Sequence, residues 1–104
     1  MAKYVFAYHG GGTPENEEDV AKVMEAWRVW MGGLGDALVD PGNPIGQTKT
    51  IHSDGSVTAG GGANPLSGYS LFTAASLDEA VAAAKGCPIL ESGGSVEVAA
   101  AVDM

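Results

Sequence analysis

Positive charge is scarce in this chain. Lys and Arg number 5 against 13 Asp and Glu, a formal net charge of −8. Proteins that bind nucleic acid neutralise phosphates with cations, and anionic membrane surfaces are held in the same way. Five scattered cations form no basic stripe, so neither nucleic acid nor membrane is an expected partner. Cysteine is scarcer still. The single Cys87 can close no internal disulfide, which fits a reducing compartment. Long apolar runs are also missing, and no stretch approaches the ~20 residues of a spanning helix. Met1 to Tyr4 leads straight into a strand-like run with no signal-like leader, so the cytoplasm is the expected location. His9 and His52 have no ligand-like spacing to each other or to Cys87; no metal and no cofactor is expected.

What is present describes a globular domain. Hydrophobic residues make up 45% and charged residues 17% of 104 residues, a composition that can build one core. Residues 1–104 read as a single domain. A chain this short buries a modest share of its surface, and pairing with a second copy buries more.

Lys3 to His9 reads as a strand, rich in aromatic and β-branched residues and apolar on both faces. Gly10-Gly11-Gly12 breaks it. Thr13 is suited to cap a helix with Pro14 at its first position, and Glu15, Glu17, Glu18 and Asp19 load the positive end of the helix dipole. Val20, Val23, Met24, Trp27, Trp30, Met31 and Leu34 then recur at helical spacing, and Gly32, Gly33 and Gly35 end the helix. Ala37 to Asp40 is a short strand, followed by a turn at Pro41-Gly42-Asn43-Pro44. Thr48 to His52 and Ser56 to Ala59 form a hairpin around Ser53-Asp54-Gly55. Gly60 to Pro65 is a loop and Gly68 to Thr73 a strand. Ser76-Leu77-Asp78-Glu79 is a capping box that opens a second helix. Lys85 falls in its last turn, Gly86 suits a left-handed cap, and Pro88 forbids continuation. Ser95 to Val102 is the last strand.

The order β-α-β-(hairpin)-β-α-β is that of the split βαβ, or ferredoxin-like, α+β fold. Two helices cover one face of its sheet and leave the other open. In the last strand Val96 and Val98 alternate with Ser95, Glu97 and Ala99. Small and polar residues on the uncovered face predict a shallow cavity or a second sheet against it, hence a homodimer.

Several segments resemble the YCII-related (DGPF-type) family: Gly68-Tyr69-Ser70-Leu71-Phe72, Ser76-Leu77-Asp78-Glu79-Ala80, Gly86-Cys87-Pro88 and Gly94-Ser95-Val96-Glu97-Val98. The front half is similar too, through Tyr4-Val5-Phe6-Ala7-Tyr8-His9-Gly10-Gly11, a Trp-bearing helix and Asp54-Gly55-Ser56-Val57. The resemblance implies a dimeric α+β barrel in which two sheets face each other. Some members are thought to be small enzymes that use a His-Asp pair in a cleft. The family's Val-Thr-Asp-Gly-Pro-Phe run aligns with Val57-Thr58-Ala59-Gly60-Gly61-Gly62, so Ala59 stands where the family aspartate would be. A catalytic pair here needs a different carboxylate, Glu97 of the same chain or Asp54 of the partner subunit.

His9 is the candidate acid/base. It ends a strand of large apolar residues beside a glycine triplet, where packing gives way to open space, and imidazole chemistry operates near neutral pH. Tyr8, Trp27, Asn43, Asn64, Tyr69 and Glu97 are the candidate pocket lining. Trp27 and Trp30 share a helix face; one is expected in the core, and the other is free to line a pocket or a dimer contact. The Gly10–Gly12 loop is not a phosphate cradle, because the acidic helix start would repel the ligand. Cys87 has no basic neighbour in sequence and reads as a buried, inert thiol. Two functions follow: a small acid/base enzyme of lyase or isomerase type, or a non-catalytic small-ligand or accessory dimer module. The enzyme needs a titratable pair converging in one cleft, and the module needs only a lined cavity.

Overall fold

The computed structural model describes residues 2–11 and 16–102. The elements in order are β1 (Ala2–His9), α1 (Glu17–Leu34), β2 (Leu38–Asp40), β3 (Lys49–Ile51), β4 (Val57–Ala59), β5 (Leu66–Ala74), α2 (Leu77–Ala84) and β6 (Ser95–Ala100). Four strands make one sheet in the order β2-β5-β1-β6, and β3 and β4 pair separately. Every neighbour in both sheets is antiparallel. This is the ferredoxin-like α+β arrangement expected from the element order, with the two long strands at the centre.

Alternation sorts the residues of the large sheet onto two faces. Tyr4, Phe6 and Tyr8 of β1 are buried, as are Ser70, Phe72 and Ala74 of β5. Phe6 stacks on Phe72 with ring centroids 5.1 Å apart and on Trp30 at 6.2 Å, so these residues face the helices. Val5, Ala7 and His9 point the other way, with Tyr69, Leu71 and Thr73 of β5 and Ser95, Glu97 and Ala99 of β6 beside them.

The two helices sit on the sheet differently, and side-chain size is the cause. α2 is nearly all alanine along its inner face; Ala80 and Ala84 are buried and the helix lies close. Ser76 caps it, its hydroxyl accepting from Glu79 N at 3.2 Å, while the Glu79 carboxylate accepts from Ala75 N. α1 instead rests on Trp27 and Trp30, and none of its described residues is fully buried. Tyr8 meets Trp27 edge-on at 5.0 Å, and Trp27 meets Trp30 at 5.7 Å. These rings prop the helix away from the sheet. The amino-terminal half of its apolar stripe therefore lacks a packed floor, and Val20 and Met24 are 39% and 67% exposed.

Some boundaries differ from the sequence expectation. α1 begins at Glu17, capped by Asn16, whose side-chain oxygen accepts from Asp19 N at 2.8 Å. Thr13 and Pro14, expected to start the helix, lie outside the described residues. Asn16 offers the same acceptor chemistry nearer the apolar stripe. Gly32 and Gly33 fall inside the helix, and Gly35 at φ 57° terminates it. Gly86 is not left-handed, because Lys85 ends α2 in a right-handed conformation and Pro88 opens a short 3-10 turn directly. The last strand stops at Ala100, which pairs with Tyr4 near the start of β1.

Candidate functional site

The space under the propped half of α1 is a cavity of about 600 Å³. Its roof is Val20, Val23, Met24, Trp27 and Met31 of α1. Its floor is largely backbone, because Gly10, Gly11, Gly42 and Gly68 contribute no side chains beside Tyr8. Ile89 and Ser92 of the 3-10 turn close one side, and Pro41, Gly42, Asn43 and Pro44 close the other. The lining is apolar and aromatic with a polar end, at Asn43, Ser67 and Tyr69. Asn43 Nδ2 donates to the Tyr69 hydroxyl at 3.4 Å. The buried Ser67 hydroxyl oxygen has no hydrogen-bond partner among the described residues.

A relay of hydroxyls holds the far wall. The Tyr8 hydroxyl donates to Ser70 Oγ at 2.8 Å, and Ser70 Oγ donates to the Pro41 carbonyl at 2.7 Å. Ser70 is fully buried. Gly42 N donates to Asp40 Oδ1 at 2.8 Å and completes the turn. Gly42 sits at φ 73°, and a β-carbon there would fall 1.7 Å from the Tyr69 carbonyl oxygen, so only glycine fits. Burial pushes the Tyr8 phenol up to about 12, against a smaller lowering by the Ser70 bond; it stays a neutral donor at any working pH.

His9 is not in this cavity. It lies on the opposite face of the sheet, away from Trp27 and Leu34, 8% exposed under the Gly60–Pro65 loop. Its Nδ1 bonds the Asn64 carbonyl oxygen at 3.0 Å, and its Nε2 meets Glu97 Oε1 at 3.1 Å. A carbonyl oxygen only accepts, so Nδ1 carries a proton. The contact between Nε2 and Oε1 then needs one further proton, held by the ring or by the carboxyl. The pair is a proton-sharing couple with one buried and one wet member: the Glu97 side chain is 68% exposed and that of His9 10%.

The seven residues singled out from the sequence thus divide into two groups. Tyr8, Trp27 and Asn43 line the cavity; Tyr69 borders it although strand alternation turns its side chain to the other face; and Asn64 and Glu97 stand with His9 on that other face. A single cleft holding all seven is not what the sheet permits, because Tyr8 and His9 are adjacent in a strand and must point to opposite faces. Sequence reasoning missed Ser70 and Ser67. Ser70 had a legible signal, a small hydroxyl at an inward position of a strand that otherwise buries Phe72 and Ala74. His52 Nε2 bonds Thr58 Oγ1 at 3.0 Å across the hairpin, and Asp54 accepts from Ser56. Cys87 is buried and its thiol is pushed up to about 11 by burial, as an inert thiol should be.

Among solved structures, the chain is similar to 5-chloro-2-hydroxyhydroquinone dehydrochlorinase from Burkholderia phenoliruptrix, in complex with 2,5-dihydroxybenzoquinone. The TM-score is 0.52 at 16% identity, over 90% of this chain and 89% of that one. This likeness confirms the ferredoxin-like fold. No protein-family model and no curated protein matches the sequence. No helix among the described residues is long and apolar enough to cross a membrane.

Proposed function

We propose that this chain is a small-molecule-binding protein whose ligand, a compact and mostly apolar ring compound, occupies the cavity between α1 and the sheet. The observation that carries this reading is the cavity itself. About 600 Å³ of space is walled by Tyr8 and Trp27, with Asn43 at its polar end. Ligand sites are typically apolar pockets of ~300–1,000 Å³ with a few placed polar groups. The similar dehydrochlorinase was solved with a dihydroxybenzoquinone, and hydroxylated rings of that size are the first probes.

The test is calorimetric titration with 2,5-dihydroxybenzoquinone and a panel of hydroxylated benzenes. Saturable binding that weakens at least tenfold in Val23→Trp, which fills the roof, supports the reading. No saturable binding at millimolar probe, or binding indifferent to Val23→Trp, overturns it.

A second reading is favoured by the 3.1 Å contact between His9 and Glu97. In an acid/base enzyme related to the YCII family, Glu97 would replace the carboxylate absent at Ala59. Turnover of a small molecule bound beside the pair, on the sheet face away from the helices, would then fall ~10²-fold or more in both His9→Gln and Glu97→Gln. Unchanged turnover in either variant removes the pair from the chemistry. In both readings the protein is a cytoplasmic homodimer joined through the sheet face that carries Val5, Leu71 and Ala99. Support comes from the lack, among the described residues, of any helix over that face and from the single cysteine, Cys87, which is free.

A further inference from the structure

The β3–β4 hairpin is an arm without a floor. Among the described residues it is hydrogen-bonded only within itself and to the flanking Thr48 and Gly60, as a sheet separate from the main one. Ile51 and Val57 pair directly across it, 75% and 56% exposed, and none of its six strand residues is buried. An isolated two-stranded hairpin is marginal in water and needs a surface to lie on. The chain is also more open than its mass requires. It exposes 7014 Å² where a compact monomer of 10.5 kDa exposes about 5,400 Å². The Cα radius of gyration is 15.0 Å, where about 13 Å is usual for this length. The excess, roughly 1,600 Å², exceeds the ~800 Å² per partner that a stable interface buries.

We infer that the β3–β4 arm of each subunit docks on the uncovered sheet face of a second copy, laying Ile51 and Val57 against Val5, Leu71 and Ala99. The inference rests on the homodimer proposed above and adds what completes it. A second copy is the occupant because one chain carries both halves of the contact: an arm bearing Ile51 and Val57, and a sheet face bearing Val5, Leu71 and Ala99. A two-fold axis then buries both at once. Charge agrees. The chain is strongly acidic and copies repel, but the arm holds Lys49, which has no ion pair among the described residues. The receiving face holds the exposed Glu97 carboxylate. Docking brings the cation of one copy to the carboxylate of the other and covers the His9–Glu97 couple, which in the single chain stays open to water on the Glu97 side.

The test uses the full-length protein. Light scattering gives the mass of the wild type, Ile51→Asp and Val57→Asp, with tryptophan fluorescence confirming that each is folded. Both substituted residues are exposed, so the core of the single chain is untouched. Separately, Ile51→Cys protein is mixed with Ala99→Cys or Leu71→Cys protein and oxidised; native Cys87 is buried, so the introduced thiols react. Expected are a wild-type mass of twice the chain, at least tenfold weaker association in both Asp variants, and a disulfide-linked heterodimer in a mixture. A wild-type dimer that both Asp variants retain, with no mixed disulfide, overturns the arm contact and leaves the dimer standing. A wild-type monomer at hundred-micromolar concentration overturns both.

Discussion

Ser70→Ala tests whether the hydroxyl relay holds the cavity wall. Ser70 is fully buried and stands between two groups that have no other hydrogen-bond partner among the described residues, the Tyr8 hydroxyl at 2.8 Å and the Pro41 carbonyl at 2.7 Å. Removing Oγ deletes two hydrogen bonds, each worth about 1 kcal/mol net. It also strands the phenol, at a cost of about 1–3 kcal/mol for an unsatisfied buried donor. The two costs overlap, and about 3 kcal/mol is expected in total, a fall in Tm of roughly 12–20 °C for a domain of this size. Tyr8→Phe made in the Ser70→Ala background removes the stranded group, so the double variant should be more stable than the two single costs added together. The coupling should reach about 1 kcal/mol or more. Urea unfolding of the four proteins at pH 7 measures the cycle. A cost below about 1 kcal/mol for Ser70→Ala, with strict additivity, would refute the relay as a support of the wall.

Gly42→Ala should be among the most destabilising single changes, by about 3 kcal/mol or more, because left-handed strain adds to an overlap with the Tyr69 carbonyl. Gly55→Ala, at φ 90° with nothing within 4 Å, should cost only about 1–2 kcal/mol, and equal unfolding midpoints would contradict the argument. Burial raises Cys87 from 9.0 to about 11 and Tyr8 from 10.0 to about 12. Both groups then keep their protons longer in the folded state, so their contribution is whole below pH 9 and is lost as pH rises from 9 to 12. Urea midpoints should fall across that range, less steeply in Cys87→Ala; a flat profile would count against the burial. His9→Ala should destabilise by about 1–3 kcal/mol, since the ring is buried between the Asn64 carbonyl and Glu97. A strand-end histidine facing open solvent would cost less than 1 kcal/mol, and that result would remove the Gly60–Pro65 loop as its cover.

The sequence by itself determined the elements and their order. The aromatic and β-branched run Tyr4–Tyr8, the alternation through Val96 and Val98, the Ser76 capping box and the Asp54-Gly55 turn are local signals, and each appears close to where its chemistry requires. The split βαβ order follows from them. It also fixed which residues can share a face, because strand alternation alone separates Tyr8 from His9. What it did not determine was distance between elements remote in the chain. Glu97 comes within reach of His9 only because β6 pairs with β1 in a register that sets His9 opposite Ser95. The cavity depends on two helices standing at different heights. Trp27 and Trp30 were visible as an apolar pair, but only their stacking on Tyr8 and Phe6 makes them props rather than filling. Ser70 acquired its role in the same way, through a hydroxyl 62 residues away in sequence and 2.8 Å away in space. Hydrogen bonds and ring contacts act over a few ångströms, and which groups come that close is settled by the packing of the whole chain.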